Sequence, residues 1–140
     1  MSKSNAHETE YLEWAFQSQA AAWEANTDFF LSLHTSNPAD GGAQNTSEVA
    51  YTGYARVAMD RQAAGDFDVT GNLAENNVLV QFPICDPGHV GSVTATHWGI
   101  GTLVSGAGQL IHWAELDNPL SISANIRPQF DPGDIRITED

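Results

Sequence analysis

Phe29-Phe-Leu-Ser-Leu-His-Thr-Ser-Asn-Pro38 decides how this chain is read. Phe29, Leu31, Leu33 and Thr35 alternate with their neighbours at a period of two, the spacing that sends successive side chains to opposite faces of a strand. Asn37-Pro38 stops the run, because proline has no N–H to give a ladder. A polar loop from Ala39 to Glu48 follows, and Tyr51-Thr-Gly-Tyr-Ala-Arg-Val-Ala-Met59 then reads as a second strand. Outward from here the chain beyond Asp28 repeats the theme, with short β-forming runs punctuated by Gly, Pro, Asn or Asp. Strands are expected near 28–35, 51–60, 66–70, 77–82, 92–101, 108–115, 120–126 and 134–138. Pro38, Pro83, Pro87, Pro119, Pro128 and Pro132 all fall at proposed turns or strand ends. Gly106-Ala-Gly108 reads as a hairpin tip between two apolar strands.

Ahead of the strands, Glu8 to Ala25 consists of good helix formers, with Thr9 placed as N-cap and acids in the first turn. Leu12, Ala15, Phe16, Gln19 and Trp23 give an i, i+3/i+4 stripe that could dock on the sheet, with Tyr11 and Trp14 beside it and Asn26-Thr27 as its end. The expected architecture is therefore an all-β, antiparallel β-sandwich (jelly-roll or Ig-like) with one N-terminal α-helix. An arm and helix over 1–27 would precede a sandwich domain over 28–140. The expected core includes Leu31, Leu33, Tyr54, Val57, Val78, Val80, Phe82, Trp98, Ile100, Leu110, Ile111, Trp113, Ile135 and Ile137.

Five segments carry a resemblance: Ser47-Glu-Val-Ala-Tyr-Thr-Gly-Tyr-Ala-Arg-Val57, Val80-Gln-Phe-Pro83, Val93-Thr-Ala-Thr-His-Trp-Gly-Ile-Gly101, Ile111-His-Trp-Ala-Glu-Leu116 and Pro132-Gly-Asp-Ile-Arg-Ile137. In this order the chain, from about Tyr11 onward, resembles a family of small bacteriophage virion structural proteins. Its members are often labelled tail-fibre or tail proteins, and some are like head decoration (cement) proteins. The resemblance implies a non-enzymatic protein that bridges major capsid proteins on the head or joins the tail proteins of the same particle. It also implies a homo-oligomer, a trimer by analogy. The place implied is the virion, on the outer surface of the head or on the tail, after assembly in the host cytoplasm. Tail-fibre shafts are repetitive, whereas this sequence has no internal repeat, so a compact cementing unit is the first expectation and a tail or tail-tip protein the second.

Charge narrows the partners. Five Lys+Arg stand against 18 Asp+Glu, for a formal net charge of −13, and Arg56, Arg61, Arg127 and Arg136 are dispersed. Nucleic-acid binding needs a clustered cationic face to displace counterions from phosphates, so no nucleic-acid partner is expected. No apolar run approaches the roughly 18 residues of a membrane span, and no signal peptide is visible. At 140 residues, with four Trp, six Phe and three Tyr, one domain can bury a substantial core.

Reactive groupings are sparse. Cys85 is the sole cysteine, which rules out an internal disulfide, and its spacing to His89 is too common to mark a dyad. His97 and His112 precede Trp98 and Trp113 on neighbouring strands, but no third zinc ligand accompanies them. Asp66-Phe-Asp-Val-Thr-Gly71 begins like a calcium loop, yet Thr70 and Asn77 occupy positions that need acids, so a turn with Gly71 at positive φ is expected. No catalytic, cofactor-binding or metal-ligating residue is assigned, and no cofactor is expected. A carbohydrate-binding or hydrolytic sandwich, with Trp98 and Trp113 as sugar platforms around an acidic pair, is the rival from another class. Tyr11, Trp14, Phe16 and Trp23 are the expected partner contacts, since aromatics surplus to a short helix's buried side are typical anchors of protein interfaces.

Overall fold

Leu31, Leu33, Trp98 and Ile100 stand side by side on one face of a five-stranded antiparallel sheet, and everything apolar gathers over them. The computed structural model describes residues 2–139. The sheet contains β1 (Ser2–Lys3), β2 (Asp28–His34), β3 (Val57–Asp60), β7 (Ser92–Gly101) and β8 (Leu110–Ser123) in the order β1-β8-β7-β2-β3. Two smaller antiparallel sheets complete the sandwich: β4 (Phe67–Thr70), β5 (Leu73–Asn76) and β10 (Arg136–Thr138) in one, β6 (Val80–Gln81) and β9 (Gln129–Phe130) in the other. Phe67, Ala74 and Ile137 of the small sheet meet Phe29, Ile100 and Ile111 of the large one. Val80, Phe82, Phe130 and Ile135 join the same core. The fold is thus the all-β antiparallel sandwich with one short helix, α1 (Asn5–Gln17), that the sequence led us to expect.

Particular elements differ. The helix begins five residues earlier than Thr9 as N-cap would place it. Ser4 is the N-cap: its hydroxyl accepts from the His7 amide and donates to the Leu110 carbonyl on β8. It ends at Ser18 in the left-handed region (φ 54°), so Trp23 lies outside it. Within α1 only His7 is buried, and Leu12 and Phe16 point to solvent rather than to the sheet. Of the stripe expected to face the core, Leu12, Ala15 and Phe16 face outward, and Trp23, beyond the helix, is half-buried.

The strand expected at 51–60 shortens to 57–60. Gly53, at φ 96°, turns the chain, the Tyr54 amide donates to the Tyr51 carbonyl, and Ser47–Val49 instead runs beside the end of β2. Two strands expected at 108–115 and 120–126 are one, β8, interrupted by a bulge. Ala95 pairs with Leu120 and His97 with Glu115, so Asp117-Asn118-Pro119 lies in the unpaired stretch, where proline's missing N–H costs nothing. β1, β5 and β9 were not foreseen, and of 77–82 only Val80–Gln81 is strand.

Of the expected core, Leu31, Leu33, Val80, Phe82, Trp98, Ile100, Leu110, Ile111 and Ile135 are buried, while Tyr54, Val57, Val78, Trp113 and Ile137 are half-buried. Trp113 falls short because its register partner is Gly99, which puts it on the face opposite Trp98, beside His97.

The turn at 51–56 is held by one ion pair. Arg56 Nε donates to Glu48 Oε1 and Arg56 Nη2 to Glu48 Oε2, both at 2.7 Å, while Nη1 reaches the Leu103 carbonyl at 2.8 Å and Nη2 the Gly106 carbonyl at 2.7 Å. The Tyr54 hydroxyl donates to Glu48 Oε1 at 2.8 Å and accepts from the Leu33 amide at 3.2 Å. Burial pushes the Tyr54 phenol up, so it stays a donor. Removing one partner of a buried pair strands the other. We predict that Arg56→Met lowers stability by about 3–5 kcal/mol in urea unfolding. Arg56→Lys should recover little of it, because an ammonium cannot fill the fork. A loss within measurement error for Arg56→Met would show the pair to be dispensable.

Candidate functional site

Three groupings have the residue types of a functional site. The first lies on the sheet face opposite the apolar core. Ser32 and His34 alternate with Leu31 and Leu33 on β2 and so point to the other side. Ser32 Oγ lies 2.9 Å from His34 Nε2, and His34 Nδ1 lies 2.8 Å from the Thr46 carbonyl. A carbonyl only accepts, so Nδ1 carries the hydrogen and Nε2 accepts from Ser32 in the neutral ring. Burial lowers the His34 pKa, consistent with that neutral form. This is the arrangement of a nucleophile and its base, with a carbonyl in place of the orienting acid. Both side chains are 0% exposed, however, and no substrate can reach them.

Their surroundings explain the enclosure. A Cβ on Gly99 would sit 2.6 Å from His34 Nε2 and 2.8 Å from Leu110 Cδ1, so only glycine lets β7 pass. Next to it the Gln44 carboxamide, fully buried, donates to the Phe30 carbonyl at 2.8 Å and accepts from the Leu103 amide at 3.1 Å. The polar loop after β2 therefore folds back as a lid of hydrogen bonds over this face. We predict that Gly99→Ala destabilises the fold by about 1–3 kcal/mol, as overpacking does, measurable as a lowered Tm. An unchanged Tm would mean that the His34 layer yields freely.

The second grouping is where α1 meets β8. The His7 and His112 rings lie 5.5 Å apart edge to face, and Trp23 lies 5.9 Å from His7. His7 Nδ1, His112 Nδ1 and Trp23 Nε1 are buried without a hydrogen-bond partner among the described residues. Lys3, paired to Glu139, and Glu8 and Glu10 of α1 supply the nearby charge, with Glu139 Oε1 at 3.5 Å from His112 Nε2. Arg61 stacks on Trp23 and Phe29 at 5.3 and 4.7 Å. Burial first, then the facing His7, lowers the His112 pKa to about 4, Glu139 pulling the other way; burial also lowers that of His7.

The sign follows from linkage. Docked, His112 resists protonation; released, it titrates at its ordinary value. The docking energy is then complete above about pH 6.5 and declines as pH falls toward 4, by about 1.4 kcal/mol per pH unit at most. We predict that the N-terminal segment opens in that window, read as faster amide exchange over α1 while β7 and β8 stay protected. His112→Gln should flatten the dependence. Uniform exchange across the whole chain in that range would contradict it.

The third grouping is a cleft of about 290 Å³ lined by Trp98, Glu115, Asp117, Asn118, Gln129, Phe130 and Asp134. Trp98 lines it but is only 4% exposed, and Trp113 is on the opposite sheet face. The two tryptophans therefore do not flank an acidic pair as sugar platforms. His97 and His112 likewise lie on opposite faces, paired with Glu115 and Ile100. Cys85 is buried, and the His89 ring bonds Thr52 instead. Asp66–Gly71 is a strand and a turn: Asp66 Oδ2 accepts from the Asp60 amide, and Gly71 has φ 65°. Among the described residues no group of three or more His, Cys, Asp or Glu is gathered to hold a metal ion.

The expected partner contacts separate. Tyr11, Trp14 and Phe16 are exposed, whereas Trp23 is half-buried against His7 and Trp14. Leu12, which its spacing assigned to the inward stripe, is exposed with them.

A family model described as podophage GP4 fiber I protein gp80 matches residues 2–138. The chain belongs to that family, which makes it a bacteriophage virion structural protein, as the resemblance in the sequence implied. No curated protein matches it significantly. Among the described residues no helix is long and apolar enough to cross a membrane.

Proposed function

We propose that the protein is a non-catalytic fibre subunit of the phage particle, carried on the tail and acting by adhesion to neighbouring virion proteins. Its family membership carries this reading, since the matching model describes a fibre protein over nearly the whole chain. The geometry supports it. The Ser32–His34 pair is sealed from substrate, and the exposed aromatics are set on a helix outside the sandwich. Such a subunit binds only the assembled particle and stabilises it by mass action.

A second reading, a decoration protein bridging major capsid proteins, draws on the compact, repeat-free chain. In either place we infer a homo-oligomer, with a trimer as the proposed state, no nucleic-acid partner and no membrane contact. The charge of −13 supports the absence of nucleic acid, since phosphates repel such a surface.

The test is a particle map with the chain identified in density. Density on the tail is the expected outcome, and density at symmetric sites on the head would turn the assignment to decoration. Particles that lack the chain altogether would defeat both. The purified protein should also fail to shift duplex DNA at physiological salt, and retardation would mean that its charge has been misjudged.

A further inference from the structure

Helix α1 is amphipathic in the reverse of the usual sense. At 100° per residue, His7, Glu10 and Trp14 share the inner side. There His7 packs on His112, Trp14 packs on Trp23 at 5.9 Å, and Glu10 accepts from Gln109 and the Ala22 amide. The outer side carries Tyr11, Leu12, Ala15 and Phe16, with Leu12 and Phe16 one turn apart and 55% and 80% exposed. Glu8, one turn before Leu12 on the same side, and Glu13, to one side of Phe16, are both exposed, and α1 contains no Lys or Arg. Large apolar side chains left exposed one turn apart, with only acids as the charges on the helix, mark an interaction surface rather than a solubilising one.

Resting on the virion reading, we infer that the Leu12–Phe16 face of α1 docks, as a helix in a groove, into an apolar groove rimmed by Lys or Arg on a different protein of the particle. Charge selects this occupant over a second copy. Two chains of −13 repel one another, and two α1 helices would bring Glu8 and Glu13 against their own kind. A cationic rim instead satisfies both glutamates while the groove takes Leu12 and Phe16. The mode is that of amphipathic helices whose anchors recur at i and i+4. Tyr11 borders the face, while Trp14 belongs to the inner side and packs on Trp23. Trp23 leaves the set of partner contacts and becomes a strut beneath the helix.

The experiment uses the full-length chain and phage particles assembled without it. Wild-type chain should bind these particles, and Leu12→Glu and Phe16→Glu should each weaken binding by more than about tenfold, the loss expected for a central apolar anchor. Both variants should keep the wild-type Tm, because neither side chain is buried in the free protein. Val104→Glu, an exposed apolar site far along the sequence, is the control and should bind normally. Rising salt should weaken particle binding, since it screens a cationic rim from Glu8 and Glu13, whereas contact between like-charged copies would tighten.

Wild-type binding that survives both substitutions overturns the assignment of the face. Salt-strengthened binding, or a solution oligomer that the substitutions dissolve, identifies a second copy as the occupant and overturns the choice of partner. Wild-type chain that never binds the particles defeats the virion reading itself, and the inference with it.

Discussion

Arg56 spends four of its five N–H groups inside the protein: two on Glu48 and one each on the carbonyls of Leu103 and Gly106. A guanidinium taken out of water is costly unless its donors are matched, and this fork matches them in one geometry. It ties the end of the polar loop and the turn directly after it to a remote segment, the loop between β7 and β8. β7 and β8 form the spine of the large sheet, so fixing their loop fixes the edge on which the polar loop is laid. Gln44 and Gly108 use the same edge: the Gln44 amide donates to the Gly108 carbonyl at 2.8 Å, and a Cβ on Gly108 would collide with the Gln44 carboxamide. The long connection from β2 to β3 is thereby a structural layer.

That layer makes the two faces of the sheet chemically unlike. One packs aliphatic and aromatic side chains against the smaller sheets. The other is filled by Ser32, His34 and Gln44 in matched hydrogen bonds, with Gly99 and Gly101 opening the space they need. Buried polar networks of this kind fix a single arrangement, because a shifted register would leave several groups unpaired at once. They also deny solvent and substrate to the Ser32–His34 pair. The residues that fix the sheet are thus the same ones that enclose the Ser32–His34 pair.

Much of this was legible and some was not, for identifiable reasons. β2 and β7 are strands where alternation and turn residues put them, because both lie inside the sheet with each face filled. Phe82, Leu31, Trp98 and Ile135 were recognisable as core from apolar spacing alone. The turn at 51–56 was hidden, since Tyr51, Tyr54 and Arg56 look like strand residues until Glu48 claims them. Helix formers through Ala25 favoured a longer helix, but Ser18 takes a left-handed cap and Trp23 gains more by packing on His7 and Arg61. Ser4 rather than Thr9 caps the helix because its hydroxyl also reaches Leu110 on β8, a tertiary bond that no local pattern encodes. Tyr11, Trp14 and Phe16 stood out as surplus aromatics, while Leu12 was assigned inward because periodicity cannot tell which side of a helix the domain lies on.

A helix of 13 residues is marginal in water by itself, so its presentation as a rigid face depends on what lies beneath it. Ser4 ties its first turn to Leu110, β1 adds a rung beside His112 and Trp113, and the His7, Trp14 and Trp23 rings fill the gap to the sheet. The ordering cost of the helix is thus met within the subunit before any partner arrives. Burying Leu12 and Phe16 fully would then return about 1.5–3 kcal/mol each to binding rather than to folding. The acidic surface plays the complementary part. Its acids beside Leu12 and Phe16 oppose contact between two copies of this helix face and favour a surface whose charge is opposite.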